Sequence, residues 1–141
     1  MRPTTLHVTT GLLTASALYV GPWAALAPRS FYDSFPGFHR VWVGVDGPFN
    51  EHLVRDVGGL YLALAVAGVI ALCRLDATAL LVLGGAWTVF DLTHLVYHLH
   101  HLAELAALDA VGNVVALGGT LVLALHLLVH GLQRSVVSAG E

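Results

Sequence analysis

Of the 141 residues, 57% are hydrophobic and only 11% are charged, and a mean hydropathy of +0.78 takes the chain far from the composition of a soluble domain. A formal charge of −3 without a basic patch excludes an electrostatic nucleic-acid binder. The single cysteine, Cys73, rules out an internal disulfide and a cysteine-rich zinc site, and the absence of lysine removes one route to Schiff-base chemistry.

Four windows carry the apolar excess. Residues 7–27, 57–73 and 110–132 contain no Asp, Glu, Lys or Arg, and residues 77–99 contain only Asp91. A hydrocarbon core about 30 Å thick needs about 20 helical residues. Backbone groups facing lipid must be satisfied within the segment, so each window is expected to be a helix. The sequence therefore predicts an all-α integral membrane four-helix bundle, one transmembrane domain over 1–141 in contact with the lipid bilayer, with helices near 5–27, 51–73, 77–101 and 109–133.

The first window is too long for a secretory signal core, and Leu26-Ala27-Pro28-Arg29 is a poor cleavage site. Residues 28–50 form the one long connection. Their Pro, Gly and Asp punctuation breaks any spanning helix, while Phe31, Tyr32, Phe35, Phe38 and Trp42 suit the membrane interface. This segment reads as an extracytoplasmic cap loop, with room for a short interfacial helix. Asn50 is a good N-cap for the second span, with Glu51 and Asp56 in the turns that follow.

With four spans, one side holds Arg2, Arg74 and Arg134 against Asp76 and Glu141. The other holds Arg29, Arg40 and Arg55 against six acids. The arginines split evenly, so the positive-inside count does not decide. The acid excess and the longer loop on the second side favour cytoplasmic termini in a bacterial cytoplasmic (inner) membrane, and the Leu/Ala/Gly/Val-rich composition matches a high-GC bacterial genome. Glycine pairs at 58–59, 84–85 and 118–119 mark close helix crossings, since helices associate in lipid through small residues. A homo-oligomer is compatible with this pattern.

The polar residues that remain fall at particular places. In the third span Asp91, His94, His98 and His101 are spaced 3, 4 and 3 apart, which puts them on one helical face with His100 opposite. The second span begins EHLVRDVGG, with His52, Arg55 and Asp56 again on one face. Because the two helices run antiparallel, both faces fall at the same outer depth. Imidazole and carboxylate without thiols favour a divalent ion such as zinc, iron, manganese or copper. The candidate ligands are His52, Asp56, His94 and His98, with two histidines four apart on one helix able to share an ion. Asp91, about two turns deeper, would orient a ligand ring, pair with Arg55 or, like Glu51, carry protons in catalysis.

Two readings of different class stay open. One is a metal-dependent membrane protein, a redox or hydrolytic enzyme, with its site at the outer ends of the second and third spans. The other is a non-catalytic protein whose His/Asp/Arg face is a buried network and whose grooves take a lipid, a quinone or a partner, since ionisable residues in spans usually face the bundle interior in pairs. A haem-binding electron-transfer bundle ranks below both, because no facing histidine pair at matching depth is evident. His7, His126 and His130 gather at the opposite end and read as interfacial. In length, four-span pattern and the stretch Asn50-Glu51-His52-Leu53-Val54-Arg55-Asp56-Val57-Gly58-Gly59, the chain resembles small bacterial membrane proteins of the DoxX-like group. That resemblance implies a link to quinone-coupled oxidoreductase chemistry and carries no catalytic residue over.

Overall fold

The computed structural model describes residues 3–140. Arg2 and Glu141, counted above for orientation, lie outside them. The chain is mostly helical: α1 (Pro3–Leu26), α2 (Pro28–Ser34), a hairpin of two-residue strands β1 (Pro36–Gly37) and β2 (Arg40–Val41), α3 (Glu51–Arg74), α4 (Ala77–His101) and α5 (Ala107–Ala139), with a 3₁₀ turn at Leu102–Glu104 before α5. Among the described residues α3, α4 and α5 are each long and apolar enough to cross a membrane. The bent pair α1–α2 passes the same test when taken together, its two parts meeting at 119°. Pro28 at the first position of α2 forces that bend, since the residue before a proline avoids the α region.

Caps fix where the helices begin. Asn50 Oδ1 accepts from the backbone N–H of Leu53 at 3.2 Å, and Asp76 Oδ1 from that of Ala79 at 2.8 Å, each replacing an acceptor that the first turn lacks. The same hydrogen bond and the Arg74 guanidinium 2.7 Å away hold the Asp76 carboxyl below the usual carboxylate range. Helix α5 outruns the fourth apolar window: its 33 residues span about 50 Å, so its last turns extend past a hydrocarbon core.

The four long helices close into a ring, α1–α3–α4–α5, made of two tight antiparallel pairs, α1/α3 and α4/α5, joined by two sparser seams. Glycine sets the tightness. A Cβ on Gly58 would lie 2.3 Å from the Ala25 backbone nitrogen, and one on Gly84 would lie 2.6 Å from that of Leu128, so the backbones touch there directly. Gly59 faces open space, as do Gly118 and Gly119. Of the three pairs noted in the sequence, one member of each of the first two forms a crossing, and the third forms none. The polar residues of α1 serve the same seam: Thr10 and Thr14 are buried, Thr14 Oγ1 donates to the Thr10 carbonyl at 2.7 Å, and Gly68 sits against the Thr14 side chain.

Residues 28–50 fold over one end of the ring. Phe31 and Phe35 of α2 pack on each other at 4.7 Å between centroids and on Trp23 of α1, and Phe35 meets Trp42 edge-on. The cap is tied down from two sides. Tyr19 Oη donates to the Pro36 carbonyl at 2.8 Å, and Asp109 Oδ1, near the start of α5, accepts from both Arg40 Nη1 and Trp42 Nε1 at 2.9 Å. The hairpin tip, Phe38-His39, holds two consecutive non-glycine residues at φ 57° and 60°, and Phe38 is 90% exposed.

Candidate functional site

Beneath the cap, the ring is not filled. A cavity of about 480 Å³ lies between all four long helices, walled by Val20 and Tyr19 of α1, Val54, Val57 and Tyr61 of α3, Trp87, His94 and His98 of α4, and Asn113, Leu117 and Thr120 of α5. Phe35, Trp42 and Val43 of the cap roof it, and Asp46 joins them at the outer end. The seams explain why it exists. Where α1/α3 meets α4/α5 there is no glycine-backed crossing, and aromatic residues hold the pairs apart: Tyr61 packs edge-on against Trp87 and Phe90 at 5.9 and 5.2 Å.

The antiparallel register of α4 and α5 orders the wall by depth. Thr120 Oγ1 lies 3.1 Å from Asp91 Oδ1 and donates to it, and Gly131 meets Leu81. The same register sets Leu117 opposite His94 and Asn113 opposite His98. From His98 at the outer end to Trp87 at the inner end is eleven residues of α4, so the slot runs for about 16 Å along the bundle axis. Leu53, Val57 and Tyr19 line it and are each at least 40% exposed.

Two of the four ligand candidates meet here. His94 and His98 both line the slot with their rings 4.7 Å apart, His94 stacked on Phe90 and His98 only 8% exposed. His52 and Asp56 do not join them. The expectation about depth is right, because the contact of Tyr61 with Trp87 and Phe90 sets Asp56 level with His94 and His52 level with His98. The expectation about direction is corrected: α3 turns Leu53, Val54, Val57 and Tyr61 to the slot, which swings His52 and Asp56 away from it. They face outward, 83% and 60% exposed, paired with each other at 3.3 Å. Among the described residues no three His, Cys, Asp or Glu side chains converge in an arrangement that would hold a metal ion.

Glu51 likewise stays on the outer face, where it accepts from Arg55 Nε at 2.8 Å, while Arg55 Nη1 also donates to the Ala25 carbonyl. Arg55 therefore closes the α1/α3 crossing and does not reach Asp91. Asp91 is 1% exposed behind the slot wall; Thr120 satisfies its Oδ1, and its Oδ2 has no hydrogen-bond partner in the structure. His101 leaves the shared face by bonding back to the Tyr97 carbonyl at 2.8 Å, as His100 does to that of Val96 at 2.7 Å, both over the carbonyl-rich helix end. At the far end of α5, His126 and His130 pack with ring centroids 4.5 Å apart.

The structure adds residues that spacing on α4 did not indicate. Asn113, 3% exposed, presents an Oδ1 with no hydrogen-bond partner, as does Trp87 its Nε1. Asn113 was open to discovery, being the only amide in the 110–132 window. Asp46 had no such signal. Burial pushes its carboxyl above the usual carboxylate range; His98 opposes that shift, Glu104 adds to it and His101 opposes it. Among the described residues no arginine lines the slot, and Asp46 is the only carboxylate that does. The site is a long, largely apolar chamber with His94, His98, Asn113 and Asp46 gathered toward the cap.

Comparison with known proteins gives no match: no family model, no curated protein and no solved structure aligns significantly with the chain.

Proposed function

We propose that this protein is a four-span bundle of a bacterial cytoplasmic membrane that binds a lipid-like or quinone-like amphiphile in the chamber under its cap. The termini lie on the cytoplasmic side and the cap on the outer side, with α1 crossing the bilayer and α2 bending back along its surface. The chamber carries this reading. Its volume lies within the range of sites that bury small ligands, its walls are apolar with a few convergent polar groups, and its exposed Leu53 and Val57 give an apolar molecule a way in from the bilayer. The divalent-ion reading retains His94 and His98 alone of its four ligands.

In this account the work of the protein is to take up and present a hydrophobic molecule. The aromatic cap excludes water, the slot aligns the tail along the bundle axis, and the polar groups near the cap meet the head. Native mass spectrometry of protein extracted in mild detergent tests it. Wild type is expected to carry a bound amphiphile in a one-to-one complex that Leu117→Trp, which fills the slot, does not retain although its thermal melt stays cooperative. A ligand-free wild type after extraction, or equal retention by Leu117→Trp, contradicts the reading.

A further inference from the structure

The inner end of the chamber is blind. On each of the four long helices the residue one turn inward of the last one to reach it is buried: Leu13 on α1, Leu64 on α3, Leu83 on α4 and Ala124 on α5, none more than 6% exposed. Trp87, itself 1% exposed, is the bulkiest side chain lining that end, and Leu80 and Leu127 fill the ring further inward. The two hydroxyls there are already committed, Ser16 to the Leu13 carbonyl and Thr120 to Asp91. With His94, His98, Asn113 and Asp46 gathered toward the cap, the inner half is left to an apolar tail that enters from the cap side and stops at Trp87.

Length and volume then agree on a single chain. From His98 to Trp87 the slot runs for about 16 Å, and an extended chain advances about 1.2 Å per bond, so a straight tail that reaches the floor has about 13 carbons. A cavity of about 150 Å³ takes one benzene ring, and on that scale 480 Å³ takes about 19 non-hydrogen atoms. One such tail leaves room for a head of about six atoms, and a second tail of equal length does not fit. A shorter tail leaves a void whose lining loses contacts; a longer one has to fold back or displace a packed floor.

We infer that the chamber takes one single-chain amphiphile with a tail of about 13 carbons, and that Trp87 sets the limit of its length. This rests on the chamber being a binding site at all, and the test separates the two claims. The probes are saturated fatty acids and 1-monoacylglycerols with octanoyl, decanoyl, lauroyl, myristoyl, palmitoyl and stearoyl chains, together with dilauroyl phosphatidylcholine. Each series is offered as an equimolar mixture to the full-length protein in nanodiscs, and the retained species are read by native mass spectrometry. Retention is expected to peak at lauroyl or myristoyl and to be about tenfold lower for octanoyl and stearoyl, with the two-chain lipid not retained. The bilayer itself favours the longest chain, so a fall beyond myristoyl belongs to the protein. Trp87→Leu, which deepens the inner end, is expected to move the peak to palmitoyl, and Ser16→Phe, which fills the same end from α1, to decanoyl.

Retention that is flat or keeps rising to stearoyl, or a preference for dilauroyl phosphatidylcholine, overturns the single-chain inference and leaves the chamber standing. A Trp87→Leu protein with the wild-type peak overturns the assignment to Trp87. Retention of no probe from either series overturns the chamber reading itself. Where Trp87→Leu does not fold, the wild-type profile and Ser16→Phe decide.

Discussion

Gly58 and Gly59 are chemically identical neighbours, yet the structure gives them opposite tolerances. A Cβ at Gly58 would meet the Ala25 nitrogen at 2.3 Å and the Ala25 Cα at 2.7 Å, whereas one at Gly59 meets nothing within 4 Å. Ordinary contact begins at 3.4 Å, so Gly58→Ala must push α1 and α3 apart by about 1 Å. The obstructing atoms are backbone and cannot rotate aside. Overpacking of this kind costs about 2 kcal/mol. Gly59→Ala should instead gain a few tenths to about 1 kcal/mol from helix propensity. The two variants are then separated by about 3 kcal/mol, on the order of 10 °C in Tm for a chain of this size. Because Val54 and Val57 line the chamber from the helix that moves, Gly58→Ala should also weaken amphiphile binding. Thermal melts in detergent, read alongside a binding titration, check both effects. Equal melting of the two variants would refute the crossing geometry, and Gly58→Ala with unchanged binding would refute its link to the chamber.

Asp109→Ala removes two hydrogen bonds that tie Arg40 and Trp42 to α5, one of them a salt bridge; it is expected to cost about 1 kcal/mol locally and to speed proteolysis within 36–50, with little change in the global melt. His39→Gly relieves one of two left-handed positions at the hairpin tip and should stabilise the cap by about 1 kcal/mol, read as slower proteolysis at the same place. Asp46 has a raised native pKa, so the folded state holds its proton more tightly than the unfolded chain does. Its contribution to stability is therefore present below the ordinary carboxylate pKa of 3.8 and is lost as pH rises through the raised value; Asp46→Asn should flatten the melt-versus-pH curve in that interval, and an unaltered curve would refute the assignment. Chelator treatment of protein purified without a histidine tag is expected to leave amphiphile binding unchanged, whereas a His94–His98 ion site would make binding track the metal content.

The helices were legible because their signals are local. Windows without charge mark the apolar stretches, and Asn50 marks the start of α3 through a cap that needs only the next few residues, whereas the matching cap of Asp76 on α4 was not read. The depth of the polar cluster was legible too, since two antiparallel helices of known length fix which residues are level. The rotation of α3 about its own axis was not. Whether His52 or Leu53 faces inward depends on Gly58 and Gly68 seating α3 against α1, and the sequence does not say which glycine of a pair makes the crossing or which helix it meets. That one undetermined rotation divides a four-ligand metal site from an exposed ion pair beside an apolar slot. The chamber escaped for a similar reason: it is made by absent contacts along two seams and completed by Asp46 from an irregular loop, and neither leaves a periodic trace.

Photolabelling locates the ligand most directly. A diazirine-bearing long-chain amphiphile, irradiated with the protein in bilayers and mapped by peptide mass spectrometry, is expected to mark α4 between Trp87 and His98 and α5 between Asn113 and Thr120, with labelling suppressed by an excess of the same amphiphile lacking the diazirine. Marks confined to outward positions such as Val122 and Val129, insensitive to that competitor, would contradict a ligand in the chamber.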